Sequence, residues 1–298
     1  MPSGPLLWGK SLCVLMVALT FSAASVASGP GCAWSYNPNA PDGPSHWGTC
    51  SSTCANTSTS QQSPINFPVA PAPFTGSPQG ALALFDPAAL VTVQNNGHTI
   101  QVNYPTPYTN KLTYNGTTYY LNQFHFHTPS EHTFGPNYSR SPLELHLVHT
   151  ANSDGSGAIL VLAVLINGGG TQPNPTFDQV LQNTPWGVGI PSAQFPNPPG
   201  FNVGGSAGPP VVPGLLPIAP NNNWNPYGIQ FYMYTGSLTT PPCTEGITWI
   251  VLATSLQLTD AEVTQFRQLF SQGGTSYPSN ARPVQPLNGR AVSFGPTP

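Results

Sequence analysis

An α+β fold, a single domain around a central, mostly antiparallel twisted sheet with a few short peripheral helices, is the class this sequence predicts. Three observations lead there. From Ala81 to Leu165, short β-type runs alternate with turn residues, so each run has a sequence neighbour to pair with. One later stretch, Asp260 to Phe270, has a clear helical period. No linker separates a second core, and 39% hydrophobic residues in a chain of 298 suffice for one sizeable interior.

The β-type runs are Leu90–Val93, His98–Tyr104, Lys111–Tyr114, Thr117–His127, Leu143–His149 and Ile159–Ile166. A short helix is expected over Phe177–Asn183. A clearer one starts at Asp260 behind a Thr259 cap, with Val263, Phe266, Leu269 and Phe270 on its apolar face. Between Trp186 and Asn223 the pattern gives way to Gly, Pro, Asn and small apolar residues. That stretch reads as an irregular surface insertion within a domain spanning 28–298, and its neutral, apolar part over 186–220 as a self-association or matrix contact.

Residues 1–27 read as a secretory signal: Lys10, an apolar run from Leu12 to Phe21, then small residues to Ala27. That run is too short for a membrane span, and the mature protein is expected to be secreted without one. Losing Cys13 with the signal leaves Cys32, Cys50, Cys54 and Cys243, which allow three pairings in an oxidising compartment. Asn56, Asn115 and Asn137 begin glycosylation sequons. Charged residues are only 5% of the chain, and a net charge of −3 with 6 Lys+Arg cannot supply a phosphate footprint, so nucleic acid is excluded as a partner.

Against this sparse background, six of the 7 histidines fall between His98 and His149. Strand side chains alternate faces, so Gln123, His125 and His127 share one face while Phe124 and Phe126 take the other. On the next run the same parity groups Glu144, His146 and Val148 and turns His149 away. His125, His127 and His146 thus converge as three neutral imidazoles with an open fourth position, the arrangement of a catalytic zinc.

Several motifs carry a family resemblance along nearly the whole mature chain: Trp34-Ser35-Tyr36, Gly43-Pro44-Ser45-His46-Trp47, Gln62-Ser63-Pro64-Ile65-Asn66 and Asn95-Asn96-Gly97-His98. With them come the histidine runs, Ser130-Glu131-His132, Ser237-Leu238-Thr239-Thr240-Pro241-Pro242 and Arg282-Pro283-Val284-Gln285. The sequence resembles the α-class carbonic anhydrases, of the secreted, disulfide-containing type. The resemblance implies reversible hydration of carbon dioxide to bicarbonate by a zinc-bound hydroxide. It implies Zn2+ on His125, His127 and His146, with Gln123 and Glu144 as the acceptors behind them.

By the same resemblance Thr239 accepts the hydroxide proton with Glu131 behind it, and His98 is the proton shuttle. Val148, Val161, Leu238 and Trp249, with Thr240, form the substrate pocket; Tyr36, Asn96, Gln101 and Thr240 organise water. Gln101 stands where the best-known members have Asn. Cys243 matches a half-cystine whose partner is Cys54 or Cys50, the other of which joins Cys32. Closing nearly 190 residues is worth about 4–5 kcal/mol in the chain-entropy model. His132 and His149 read as structural.

Two other readings compete. His125-x-His127 followed by Glu131 also fits a cupin motif, with Glu131 as a ligand to iron or manganese; it leaves the Thr239 segment unexplained and lacks the expected Gly at Tyr119. A non-catalytic matrix or assembly protein would suit the scarcity of charge, but the full residue set argues for an active enzyme.

Overall fold

The computed structural model describes residues 32–67, 72–73, 83–85, 90–185, 187–192, 195–196, 216, 230–272 and 279–296. The expected signal and most of the 186–223 stretch lie outside them.

In chain order the strands are β1 (Asn66–Phe67), β2 (Ala72–Pro73), β3 (Ala83–Phe85), β4 (Leu90–Asn95), β5 (Ile100–Asn103), β6 (Lys111–Tyr114), β7 (Thr117–His127) and β8 (Thr133–Phe134). They continue with β9 (Leu143–Thr150), β10 (Ile159–Asn167), β11 (Phe195–Pro196), β12 (Gln230–Ser237), β13 (Glu245–Leu252), β14 (Leu256–Gln257) and β15 (Ser293–Pro296). The helices are α1 (Trp47–Cys50), α2 (Pro175–Asn183) and α3 (Asp260–Gln272).

One large open sheet runs β11-β4-β5-β7-β9-β10-β13-β12-β15-β2, with β6 and β14 pairing beside it on β7 and β10 and β3 on β6. Its centre is local and antiparallel: β5 on β7, β7 on β9, β9 on β10. The β10–β13 pair is parallel and joins residues 88 positions apart, such as Leu160 and Thr248, and neither β12 nor β13 was anticipated from the sequence.

Parity divides the sheet into two chemistries. Phe124, Phe126, Leu145 and Leu147 enter the larger core, where Phe126 meets Phe177 of α2 at 5.3 Å and Phe266 of α3 at 5.4 Å between ring centroids. Each such buried ring stabilises by about 1.5–3 kcal/mol. Both helices are capped by side chains: Asn174 accepts from the Thr176 and Phe177 amides. Thr259 and Glu262 bond each other's backbone N–H reciprocally, a capping box. The Asn174 cap explains why α2 begins at Pro175, ahead of the expected Phe177.

The other face holds Val148, Val161, Trp249 and Tyr234 in a smaller cluster. A third group, Tyr36, Trp47, Cys54 and Cys243 with Trp34, packs the amino-terminal segment beside it. The bonds are Cys54–Cys243 and Cys32–Cys50.

The described parts of the 186–223 stretch correct the expectation of a wholly irregular surface loop. Residues 187–192 hydrogen-bond along β4, Phe195–Pro196 pair with Val91 and Leu90, and Leu216 is 3% exposed within the larger core. Small apolar residues there serve the sheet edge and the interior as well as the surface.

Candidate metal centre

His125 and His146 are directly opposed in the β7–β9 register, with a register irregularity between Leu121 and Gln123, and His127 lies two residues along β7. One ring nitrogen from each of the three lies within 4.8 Å of the others. Each ring is fixed from behind by a different acceptor. His125 Nδ1 is 2.8 Å from Gln123 Oε1, His127 Nδ1 is 2.8 Å from the Asn280 carbonyl, and His146 Nε2 is 2.9 Å from Glu144 Oε1. These contacts aim Nε2 of His125, Nε2 of His127 and Nδ1 of His146 at one another. His127 Nε2 is buried with no hydrogen-bond partner. Burial lowers all three imidazole pKa values, His127 to about 4, so the rings are neutral as metal ligation requires.

His149 turns to the opposite face, where its Nδ1 lies 3.0 Å from the Leu147 carbonyl and burial lowers its pKa to about 4.

Behind the imidazoles lies a buried acid network. Glu144 Oε1 accepts from His146 and, at 2.6 Å, from His132; Oε2 accepts the amides of Glu131 and His132 at 2.7 and 2.9 Å. Burial alone would raise its pKa, but His132 and His146 hold it well below the usual carboxylate range. His132 Nε2 continues to the Tyr234 hydroxyl at 2.8 Å, and that hydroxyl to Ser63 Oγ at 2.8 Å. Glu131 differs. Its Oε1 accepts the Arg282 amide at 2.8 Å, while Oε2 makes no hydrogen bond of ordinary geometry, although the Thr239 hydroxyl is near enough to favour ionisation. Burial nonetheless pushes its pKa up to about 7. Glu131 is not among the clustered ligand atoms, which disfavours the cupin arrangement.

The three histidines line a cavity of about 310 Å³. Val148, Val161, Leu238 and Trp249 form its apolar wall; Tyr36, Asn96, His98 and Gln101 line it on polar positions, and Thr239 and Thr240 close it. Asn96 Oδ1 accepts the His98 and Thr99 amides at 2.9 and 2.8 Å, and Asn96 Nδ2 reaches Gln101 Oε1 at 3.3 Å. The His98 ring is half-buried, and burial lowers its pKa.

The sequence reading missed Asn280. Its backbone carbonyl faces His127, its Oδ1 accepts the Thr128 amide at 2.7 Å, and its Nδ2 donates to the His98 and Phe126 carbonyls at 2.9 Å each. Its one signal was position, two residues ahead of the Arg282 motif. Trp34 belongs to the Trp34-Ser35-Tyr36 motif, which implied no role for it, yet its ring lies on His98.

The comparisons agree with this geometry. A family model described as eukaryotic-type carbonic anhydrase matches residues 42–295. A carbonic anhydrase from Neisseria gonorrhoeae is 37% identical over 295 residues, 98% of this chain and 99% of its own length. Among solved structures, the α-carbonic anhydrase of Thermovibrio ammonificans with the inhibitor sulfanilamide aligns at 31% identity and TM-score 0.68, covering 88% of this chain and 99% of that one. Dioscorin complexed with ascorbate aligns at 28% identity and TM-score 0.66, covering 88% of this chain and 97% of its own. An open, mostly antiparallel sheet with three convergent imidazoles on one face defines the α class of carbonic anhydrase. This chain belongs to that family, and it is a carbonic anhydrase enzyme.

Proposed function

We propose that the protein hydrates carbon dioxide reversibly to bicarbonate and a proton with the help of a zinc ion held by His125 Nε2, His127 Nε2 and His146 Nδ1, and that His98 carries the proton out. Family membership supports the reaction, and the observation that carries the metal reading is the trio of inward nitrogens. Each belongs to a ring whose other nitrogen is already engaged, and one is a buried orphan. Three neutral nitrogen donors with an open side suit zinc. When bound, the metal acidifies a water so that hydroxide is available near neutral pH.

The remaining work falls to the chain. Glu131, fixed by the Arg282 amide, keeps a carboxylate oxygen for the Thr239 hydroxyl, which leaves the Thr239 oxygen as an acceptor towards the cavity. Val148, Val161, Leu238 and Trp249 offer carbon dioxide a dry wall, and the Trp249 indole is pinned by donating to the Ser237 carbonyl at 3.0 Å. Asn96 and Gln101, with Tyr36 and Thr240, hold water between the imidazoles and His98. His98 sits at the half-exposed end of that path, as a group exchanging protons with buffer must.

Two disulfides favour an oxidising compartment, with residues 1–27 as the leader that sends the chain there. No helix among the described residues is long and apolar enough to cross a membrane. Asn56, Asn115 and Asn137 are all exposed, as glycosylation would require.

Stopped-flow hydration by the purified protein, alongside metal analysis, tests the reading. Activity with one zinc per chain is expected, with inhibition by a primary sulfonamide. Stoichiometric zinc without hydration would overturn the catalytic part, and a different stoichiometric metal the cofactor.

A further inference from the structure

We propose that the stretch Gly187–Ser192 is a strap that positions His98, and that Val188 and Gly189 are its working residues. The inference rests on reading His98 as the proton carrier. The stretch runs along β4, whose last residue opens the turn Asn95-Asn96-Gly97-His98. Ser192 N–H donates to the Val93 carbonyl at 2.7 Å, and its hydroxyl accepts the Val93 N–H at 2.9 Å. Gly189 N–H then donates to the Asn95 carbonyl at 2.7 Å, at the point where the strand becomes the turn.

Beyond that bond the strap approaches the turn itself. Gly97 has φ +86°, and a Cβ built on it would lie 3.1 Å from Val188 Cγ1. Val188 is 47% exposed, so it adds little to the core, and what it supplies is the bridge to Asn95 and a side chain standing where a Cβ on Gly97 would point. The turn is already tied from within, by Asn95 Oδ1 to the Gly97 amide and by Asn96 Oδ1 to the His98 amide, and Asn280 holds the His98 carbonyl. Those bonds fix its shape. None of them lies on the side where residues 93–95 of β4 would present unpaired backbone groups without the strap. The strap closes that side, so part of the stretch that the sequence predicts to be a surface contact carries a positioning role.

Two variants test it. Val188→Gly removes the side chain that faces Gly97; Gly189→Pro removes the donor to the Asn95 carbonyl and cannot adopt the observed φ of +75°. In weak buffer kcat should fall about three- to ten-fold in each, kcat/KM should stay within about two-fold, and imidazole buffer should restore kcat. In a His98→Ala background Val188→Gly should add no further loss, because both act through one group. The His98 ring signals in the NMR spectrum of the Val188→Gly protein should shift from their parental positions. Unchanged kcat in both variants, an equal fall in kcat and kcat/KM, losses that add to that of His98→Ala, or unmoved ring signals would each overturn the strap. A His98→Ala enzyme with full kcat would instead remove the shuttle reading on which the strap depends, so the two failures are distinguishable.

Discussion

Trp34 and His98 lie face to face, their ring centroids 3.7 Å apart and their planes 12° from parallel. The indole belongs to the amino-terminal segment, which the Cys32–Cys50 bond ties to α1, and it also packs edge-on against Trp47 at 5.1 Å. A segment more than 60 positions away in sequence therefore covers one face of the imidazole.

The stack has a measurable electrostatic consequence. Burial is what lowers the His98 pKa, so exposing the ring by Trp34→Ala should raise it towards the ordinary value of about 6.5. An NMR titration of the histidine ring protons measures the change. A pKa that stays put or falls would mean that the indole is not what desolvates the ring.

His146 and His149, three residues apart on β9, are buried alike at 1% exposure and take opposite faces. His146→Ala should reduce bound zinc by about ten-fold or more and abolish hydration, whereas His149→Ala should keep both. Glu144→Ala, which removes the acceptor behind His146, should weaken zinc binding by about 10–100-fold. Metal analysis after dialysis separates the cases, and a His149→Ala protein that loses its zinc would reverse the assignment.

Asn280 joins the end of β7 to the His98 turn through five contacts, two of them from its backbone and one of those to a proposed ligand. Asn280→Ala keeps those backbone contacts but orphans the Thr128 amide and weakens satisfaction of two carbonyls. The expected cost is on the order of 1–3 kcal/mol for each buried group left unpaired. Urea unfolding should register it, with zinc retention falling in parallel. A change below about 0.5 kcal/mol would show that water or a neighbour replaces the side chain.

His149 should make the fold acid-sensitive. Its pKa is lowered from the usual 6.5 to about 4 by burial, so between those values the unfolded chain takes up a proton that the folded one refuses. The contribution is fully present above about pH 6.5 and is lost as pH falls towards 4, by roughly 3 kcal/mol in the limit. His149→Gln removes that proton uptake while the other titrating groups remain common to both proteins. The stability advantage of the parent over the variant, measured by urea unfolding at several pH values, should shrink as the solution is acidified. A difference that is flat with pH would assign the acid response elsewhere.

What the sequence determined by itself was everything that depends on short-range alternation. Parity on β7 and β9 brought His125, His127 and His146 to one face and sent Phe124, Phe126 and His149 to the other, because the side-chain period of a strand is two whatever it pairs with. The helix over Asp260–Phe270 was equally legible, since its period and its Thr259 cap are local. Family motifs then supplied expectations for Glu131, Thr239, His98 and the Cys54–Cys243 pair that no spacing rule could have given.

Contacts between distant segments were decided only by the tertiary structure. The parallel β10–β13 pair, the Trp34 stack, the Asn280 carbonyl behind His127 and the run of residues 187–192 along β4 join parts of the chain with no shared period. Backbone groups carry several of these contacts, and a backbone carbonyl or N–H is the same at nearly every position, so residue type cannot announce it. The neutral stretch after Trp186 shows the difference most clearly. Its composition suggested a surface insertion and a contact patch, and only its hydrogen bonds show that part of it runs along β4 up to Asn95.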